Sequence, residues 1–135
     1  MAFLSVNINK VATLRNSRGK DSPNLIHMTK TILDLGVKGI TVHPRPDERH
    51  IKRSDVYELK PFLKKHDIEF NIEGYPSEDF LSLISEIKPL QCTLVPDPPE
   101  ALTSNAGWNI LKNRFIIFGF DDQSLYSVIY FFNIM

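Results

Sequence analysis

Eight consecutive residues, His43-Pro-Arg-Pro-Asp-Glu-Arg-His50, carry two imidazoles, two guanidiniums and two carboxylates. Such a set suits proton transfer beside a bound anion. Imidazole exchanges protons near neutral pH, and a guanidinium presents a planar fork of donors that matches phosphate. Pro44 and Pro46 stiffen the segment. The same composition also fits a solvated loop held by salt bridges, and residue types alone leave both readings open. Glu73 closes an apolar run and precedes Gly74. A desolvated carboxylate there has a raised pKa and can act as a general base, whereas one paired with a neighbouring Arg or Lys is structural. Arg15, Arg18 and Gly19 form a basic segment suited to phosphate.

Other chemistries find less support. His43 and His50 lack the spacing of familiar zinc motifs, and no cysteine pair assists them. No GxGxxG or Walker A sequence is present, so nucleotide binding has no motif behind it. His27 and His66 fall on expected helices and read as surface or boundary residues. The chain has 135 residues, 42% hydrophobic and 24% charged, with zero formal net charge. That composition suits one globular domain and argues against a general nucleic-acid or anionic-membrane binder. One cysteine, Cys92, allows no intrachain disulfide and fits a reducing, cytoplasmic setting. It lies in an apolar run and reads as a core residue. The N-terminus lacks the pattern of a signal peptide, and no apolar stretch has the length of a membrane helix.

The elements that must position these groups follow from hydrophobic periodicity. Residues 3–8 read as a strand and 9–22 as a polar loop. Ser22 and Pro23 suit the start of a helix whose apolar positions recur from Leu25 to Leu35, with Gly36 as its C-cap. Residues 38–42 form the second expected strand. A helix follows from Ser54-Asp55 to about Lys65, with Pro61 inside it as a potential kink. Residues 68–72 give a third strand, ending at Glu73-Gly74, and Ser77-Glu78 starts a third helix. Residues 90–95 give a fourth strand. The expected class is α/β, built from parallel βα repeats. A doubly wound sheet and part of a (β/α)8 barrel both fit that pattern. Each strand ends in polar groups: Asn7 and Asn9-Lys10, then His43 and Arg45, then Glu73, and finally Thr103-Ser104-Asn105. The opposite loops are chemically bland. In such folds the site lies at the carboxyl ends of the strands.

Four of these segments together resemble the pyridoxine 5′-phosphate synthase family. They are residues 6–19, residues 39–51, Phe70-Asn-Ile-Glu-Gly74 and Leu94-Val-Pro96, in the family's order and spacing. The resemblance covers residues 1–112 and implies about the first half of a (β/α)8 barrel in a homo-oligomeric enzyme. It implies condensation of 1-deoxy-D-xylulose 5-phosphate with 3-amino-2-oxopropyl phosphate in vitamin B6 biosynthesis, with no metal or organic cofactor. By position, Asn7 and Arg18 match residues that bind the amino-ketone phosphate. Arg45, His50 and Thr103 match residues that bind the deoxyxylulose phosphate. His43 and Glu73 match two acid–base residues. Asn9-Lys10 stands where the family often has Asp-His, in contact with the sugar phosphate.

The tail differs. Residues 115–135 contain no Lys or Arg, and Phe, Ile and Tyr dominate. They show no helical stripe and have high β propensity. The expectation is therefore a synthase half-domain over 1–112, an atypical apolar tail over 113–135, and a truncated chain with little or no synthase activity. The alternative is a non-catalytic half-barrel that binds phosphorylated ligands or a complementing partner chain.

Overall fold

The computed structural model describes residues 3–96, 107–109 and 111–112, together with the backbone of 127–130. Five strands form one parallel sheet: β1 (Ser5–Asn7), β2 (Gly39–Val42), β3 (Glu69–Gly74), β4 (Gln91–Leu94) and β5 (Ser127–Tyr130). Four helices lie between the first four strands: α1 (Asn9–Ser17), α2 (Leu25–Asp34), α3 (Arg53–Lys65) and α4 (Glu78–Ile87). The strands lie in sequence order, β1-β2-β3-β4-β5. A doubly wound sheet reverses its strand order at a switch point, whereas a barrel winds in one direction. The order here is that of a barrel, and the described strands correspond to part of one.

Alternation along the strands separates two faces. Val6, Ile40, Val42, Phe70, Ile72, Cys92 and Leu94 point to the helices. They pack with Leu25, Val56, Leu59, Leu63, Phe80, Leu83, Ile84 and Ile87 in one core. Fully buried side chains such as Ile40, Ile72 and Leu59 each contribute roughly 1.5–3 kcal/mol of hydrophobic stabilisation. The other face is polar and continuously hydrogen-bonded. Ser5 Oγ and Thr41 Oγ1 are 2.9 Å apart, Asn71 Nδ2 donates to Thr41 Oγ1 at 3.3 Å, and Thr93 Oγ1 donates to Asn71 Oδ1 at 3.0 Å. Side chains thus bridge β1, β2, β3 and β4 on the side opposite the helices.

The start of the chain departs from expectation. Residues 9–17 are helical, not loop. The inward positions of α1 are Ile8, at its N-cap, then Ala12 and Arg15. Their spacing is helical, but the third is a cation, and hydrophobic periodicity does not register a buried arginine. The Asn7 side chain helps begin this helix by accepting the Asn9 N–H at 2.9 Å. The cap of α2 also differs. Asn24, not Ser22, accepts the His27 N–H at 2.8 Å. Gly36 ends α2 as expected: its φ of 88° needs glycine, and its N–H reaches the Leu33 carbonyl at 2.9 Å. Helix α3 runs through Pro61 without interruption. Ser77 caps α4 by accepting the Phe80 N–H at 3.3 Å. Strand β5 falls within the apolar tail.

Candidate functional site

The first three strands deliver Asn7, His43 and Glu73 to one rim. Asn7 Nδ2 donates to Glu73 Oε2 at 3.4 Å. Asn7 Oδ1 accepts the Asn9 N–H, and Asn9 Oδ1 accepts the His43 N–H, each at 2.9 Å. Four of the expected residues thus stand on one hydrogen-bonded chain, Glu73–Asn7–Asn9–His43. Burial pushes the Glu73 carboxyl above its ordinary value, because a desolvated site disfavours charge. The two Asn side chains belong to the framework of the rim: each amide oxygen is engaged with a backbone N–H of the chain.

The segment after β2 folds back over this rim. Arg45 is buried, with its Nε 3.6 Å from Asp47 Oδ1. Arg49 Nε donates to Asp47 at 2.7 Å, and this hydrogen bond is the main reason that the Asp47 carboxyl sits below its usual value. The His50 ring lies 5.9 Å from that of His43, centre to centre. Its Nδ1 accepts the Ile51 N–H at 2.9 Å. A backbone N–H can only donate, so Nδ1 is the unprotonated nitrogen and Nε2 carries the proton. Burial, followed by the charge of Arg45, lowers the His50 pKa and keeps the ring neutral. A cavity of about 230 Å³ opens between His43, Arg45 and Pro46 on one side and Gly74, Tyr75 and Phe80 on the other.

The remaining expected residues are placed differently. Lys10 is exposed in the first turn of α1, close enough to His50 for its charge to bear on that ring. Arg18 is exposed at the C-cap of α1, about 13 Å along the helix from Asn9 at 1.5 Å per residue. Thr103 lies outside the described residues. Arg15 is corrected from a phosphate candidate to a structural group. Its Nη1 and Nη2 donate to the two carboxylate oxygens of Asp55 at 2.7 and 2.8 Å, and both side chains are buried. His27 is exposed on α2, as expected, whereas His66 is exposed just past the end of α3, at its C-cap.

Sequence reasoning missed Asn16, Asp55, Tyr75 and Trp108. Asn16 Nδ2 donates to the His50 carbonyl at 2.8 Å. Tyr75 and Trp108 stack with ring centres 6.4 Å apart, and Trp108 Nε1 donates to the Leu94 carbonyl at 3.0 Å beside the rim. No local motif marks these residues; only the fold brings them together. Among the described residues, no group of three or more His, Cys, Asp or Glu is placed to hold a metal ion. Among them also, no helix is long and apolar enough to cross a membrane.

Residues 4–120 match the family model described as pyridoxal phosphate biosynthesis protein PdxJ. The chain belongs to the PdxJ family. Proteins named pyridoxine 5′-phosphate synthase resemble it closely. Those of Bacteroides thetaiotaomicron and Phocaeicola vulgatus are 58% and 59% identical over 113 residues, covering 84% of this chain and 46% of each relative. That of Cytophaga hutchinsonii is 51% identical over 114 residues, covering 84% of this chain and 47% of the relative. This PdxJ-family chain therefore spans about half the length of the curated relatives that it matches.

Proposed function

We propose that this chain supplies the first half of a pyridoxine 5′-phosphate synthase site. The observation that carries the proposal is the hydrogen-bonded chain Glu73–Asn7–Asn9–His43 at the strand ends of a PdxJ-family chain. In this reading 1-deoxy-D-xylulose 5-phosphate condenses with 3-amino-2-oxopropyl phosphate in the cytoplasm. Imine formation, enolisation and dehydration all require protons to be moved. Glu73, with its raised pKa, is suited to accept one and then return it. His43 stands in the same hydrogen-bonded chain as the second acid–base group. Neutral His50 offers an Nε2–H to a phosphate oxygen, and Arg45 supplies positive charge beside it. Lys10 adds a cation at the position next to Asn9. Asn7, Arg18 and Thr103 complete the assignment by position. Arg18 stands at the far end of α1 from Asn9.

A polypeptide of these 135 residues alone is expected to bind the sugar phosphate and turn over little or none of it. Calorimetric titration with 1-deoxy-D-xylulose 5-phosphate tests the site. Saturable binding that is lost in Arg45→Ala supports it; no binding by the folded chain rejects it. Normal turnover with both phosphates would reject the incompleteness.

A second reading is a non-catalytic half-barrel that associates with a complementing chain or with its own copies. The sheet order favours it: among the described strands β1 pairs with β2 alone, and a parallel edge offers backbone groups for pairing. Light scattering distinguishes the two, since a monodisperse monomer that binds the sugar phosphate supports the first alone.

A further inference from the structure

One peptide unit links α1 to the His50 ring. The carbonyl of His50 accepts from Asn16 Nδ2 at 2.8 Å and from Arg15 Nη2 at 3.4 Å. The N–H of the same unit belongs to Ile51 and donates to His50 Nδ1 at 2.9 Å. A peptide unit is planar and rigid, so turning its carbonyl turns its N–H. The donors on the carbonyl are themselves held. Asn16 Oδ1 accepts from Arg15 Nε and Nη2 at 3.2 and 3.0 Å. Arg15 is anchored on both oxygens of Asp55, which also accepts the Lys52 N–H at 2.7 Å. On the far side, Ile51 is fully buried in the core.

We infer that Asn16 and Arg15 are positioning residues that fix the tautomer of His50, acting through the His50–Ile51 peptide unit. The hydrogen bond at one imidazole nitrogen decides which nitrogen carries the proton. With the Ile51 N–H aimed at Nδ1, a proton there would oppose another donor, so the proton stays on Nε2. That leaves Nε2–H as the donor to an anion. Released from Asn16, the peptide unit can turn and the preference for Nε2–H falls. The charged groups bearing on this ring are Arg45, Asp47, Arg49 and Lys10, with the ring of His43 beside it.

The inference rests on the proposed role of His50 in phosphate binding, and its test separates the two. Asn16→Asp keeps an oxygen to receive Arg15, removes the N–H donor to the His50 and Glu48 carbonyls, and adds a negative charge. Histidine ring nitrogens are read by ¹⁵N NMR on the whole labelled chain across its pH titration. The parent is expected to show His50 as the Nε2–H tautomer. The variant is expected to show a mixture with Nδ1–H and a higher titration midpoint, while the signals of His27 and His66 stay in place. Affinity for 1-deoxy-D-xylulose 5-phosphate is expected to fall about threefold to tenfold, the worth of one hydrogen bond. A nearby negative charge raises a histidine midpoint by itself, so the tautomer is the deciding signal, and Asn16→Ala, which adds no charge, is read beside the aspartate variant and replaces it should that variant unfold. An Nδ1–H tautomer in the parent overturns the inference, as does an unchanged His50 tautomer in a folded variant. If the parent shows the Nε2–H tautomer, the variant loses it, and yet the parent does not bind the sugar phosphate, the positioning stands and the proposed site falls.

Discussion

Arg15 and Asp55 form a two-pronged ion pair, with Nη1 to Oδ1 at 2.7 Å and Nη2 to Oδ2 at 2.8 Å, between α1 and the first turn of α3. Their side chains are 10% and 7% exposed, so solvent does little to replace a lost partner. Removing one member of a buried pair leaves an uncompensated charge, which costs about 3–5 kcal/mol. Arg15→Ala or Asp55→Ala is expected to lose that much in urea unfolding. A loss under about 1 kcal/mol, the worth of an exposed pair, would show that the pair is solvated in solution.

Gly74 leaves room for one ring. A Cβ at that position would lie 2.3 Å from Cε2 of Phe80 and 2.4 Å from its Cδ2. Phe80 is buried in the core and cannot swing into solvent without exposing apolar surface. Gly74→Ala is expected to destabilise the chain by about 1–3 kcal/mol, the usual cost of overpacking. Thermal unfolding of Gly74→Ala in a Phe80→Leu background provides the check. The penalty should shrink there if the ring is the obstacle, and persist if backbone conformation is.

Asn71 is the centre of the polar row on the sheet. It donates to Thr41 and accepts from Thr93, and all three residues are buried. Asn71→Leu removes both bonds and puts an apolar group against two hydroxyls. Leaving buried polar groups without partners costs about 1–3 kcal/mol each. The expected result is a lower urea midpoint with an unchanged slope. A variant as stable as the parent would mean that the hydroxyls find other partners.

The strands were legible because apolar residues alternate along them, as in Ile40 and Val42 or Phe70 and Ile72, but their order in the sheet was not, since a doubly wound sheet and a barrel both fit that pattern. The rim was legible for the same reason: once the strands are placed, Asn7, His43 and Glu73 must fall at their carboxyl ends. Helix α1 was not legible. Its inward face is completed by Arg15, whose burial depends on Asp55 forty positions later in the chain. A reading based on local composition places such an arginine in solvent or against phosphate. The start of α2 was missed on a finer point, since Ser22 and Asn24 both suit an N-cap and only the geometry shows which side chain meets the His27 N–H. The linkage of His50 to α1 was invisible for a different reason: two of its members are backbone groups, which carry no sequence signal.

Cys92 is 3% exposed in β4, and burial pushes its thiol up to about 12. Thiolate is the reactive form, so the native chain should hold almost none of it at neutral pH. A disulfide reagent is expected to leave the folded chain unmodified and to label it once in denaturant. Rapid labelling of native protein would show either that β4 opens readily or that the thiol is not desolvated.

Glu73 sets a pH dependence whose sign is opposite to that of a salt-bridged carboxylate. Burial raises its folded-state pKa above 4.5, so between these two values the folded chain holds more protons than the unfolded chain. Stability therefore falls as pH rises through the folded pKa, and is regained on acidification toward 4.5. His50 acts in another window. Its folded pKa lies below 6.5, so its contribution is lost as pH falls from 6.5 through the folded value. The two are separated by Glu73→Gln, which keeps the shape and an acceptor for Asn7 but cannot ionise. The difference in unfolding free energy between variant and parent isolates Glu73. It is expected to favour the variant above the folded pKa of Glu73 and to shrink steadily as pH falls toward 4.5. Urea midpoints measured at a series of pH values provide that difference. A constant gap across the window would mean that the Glu73 carboxylate is solvated at the rim, and would remove the physical basis for its role as a base.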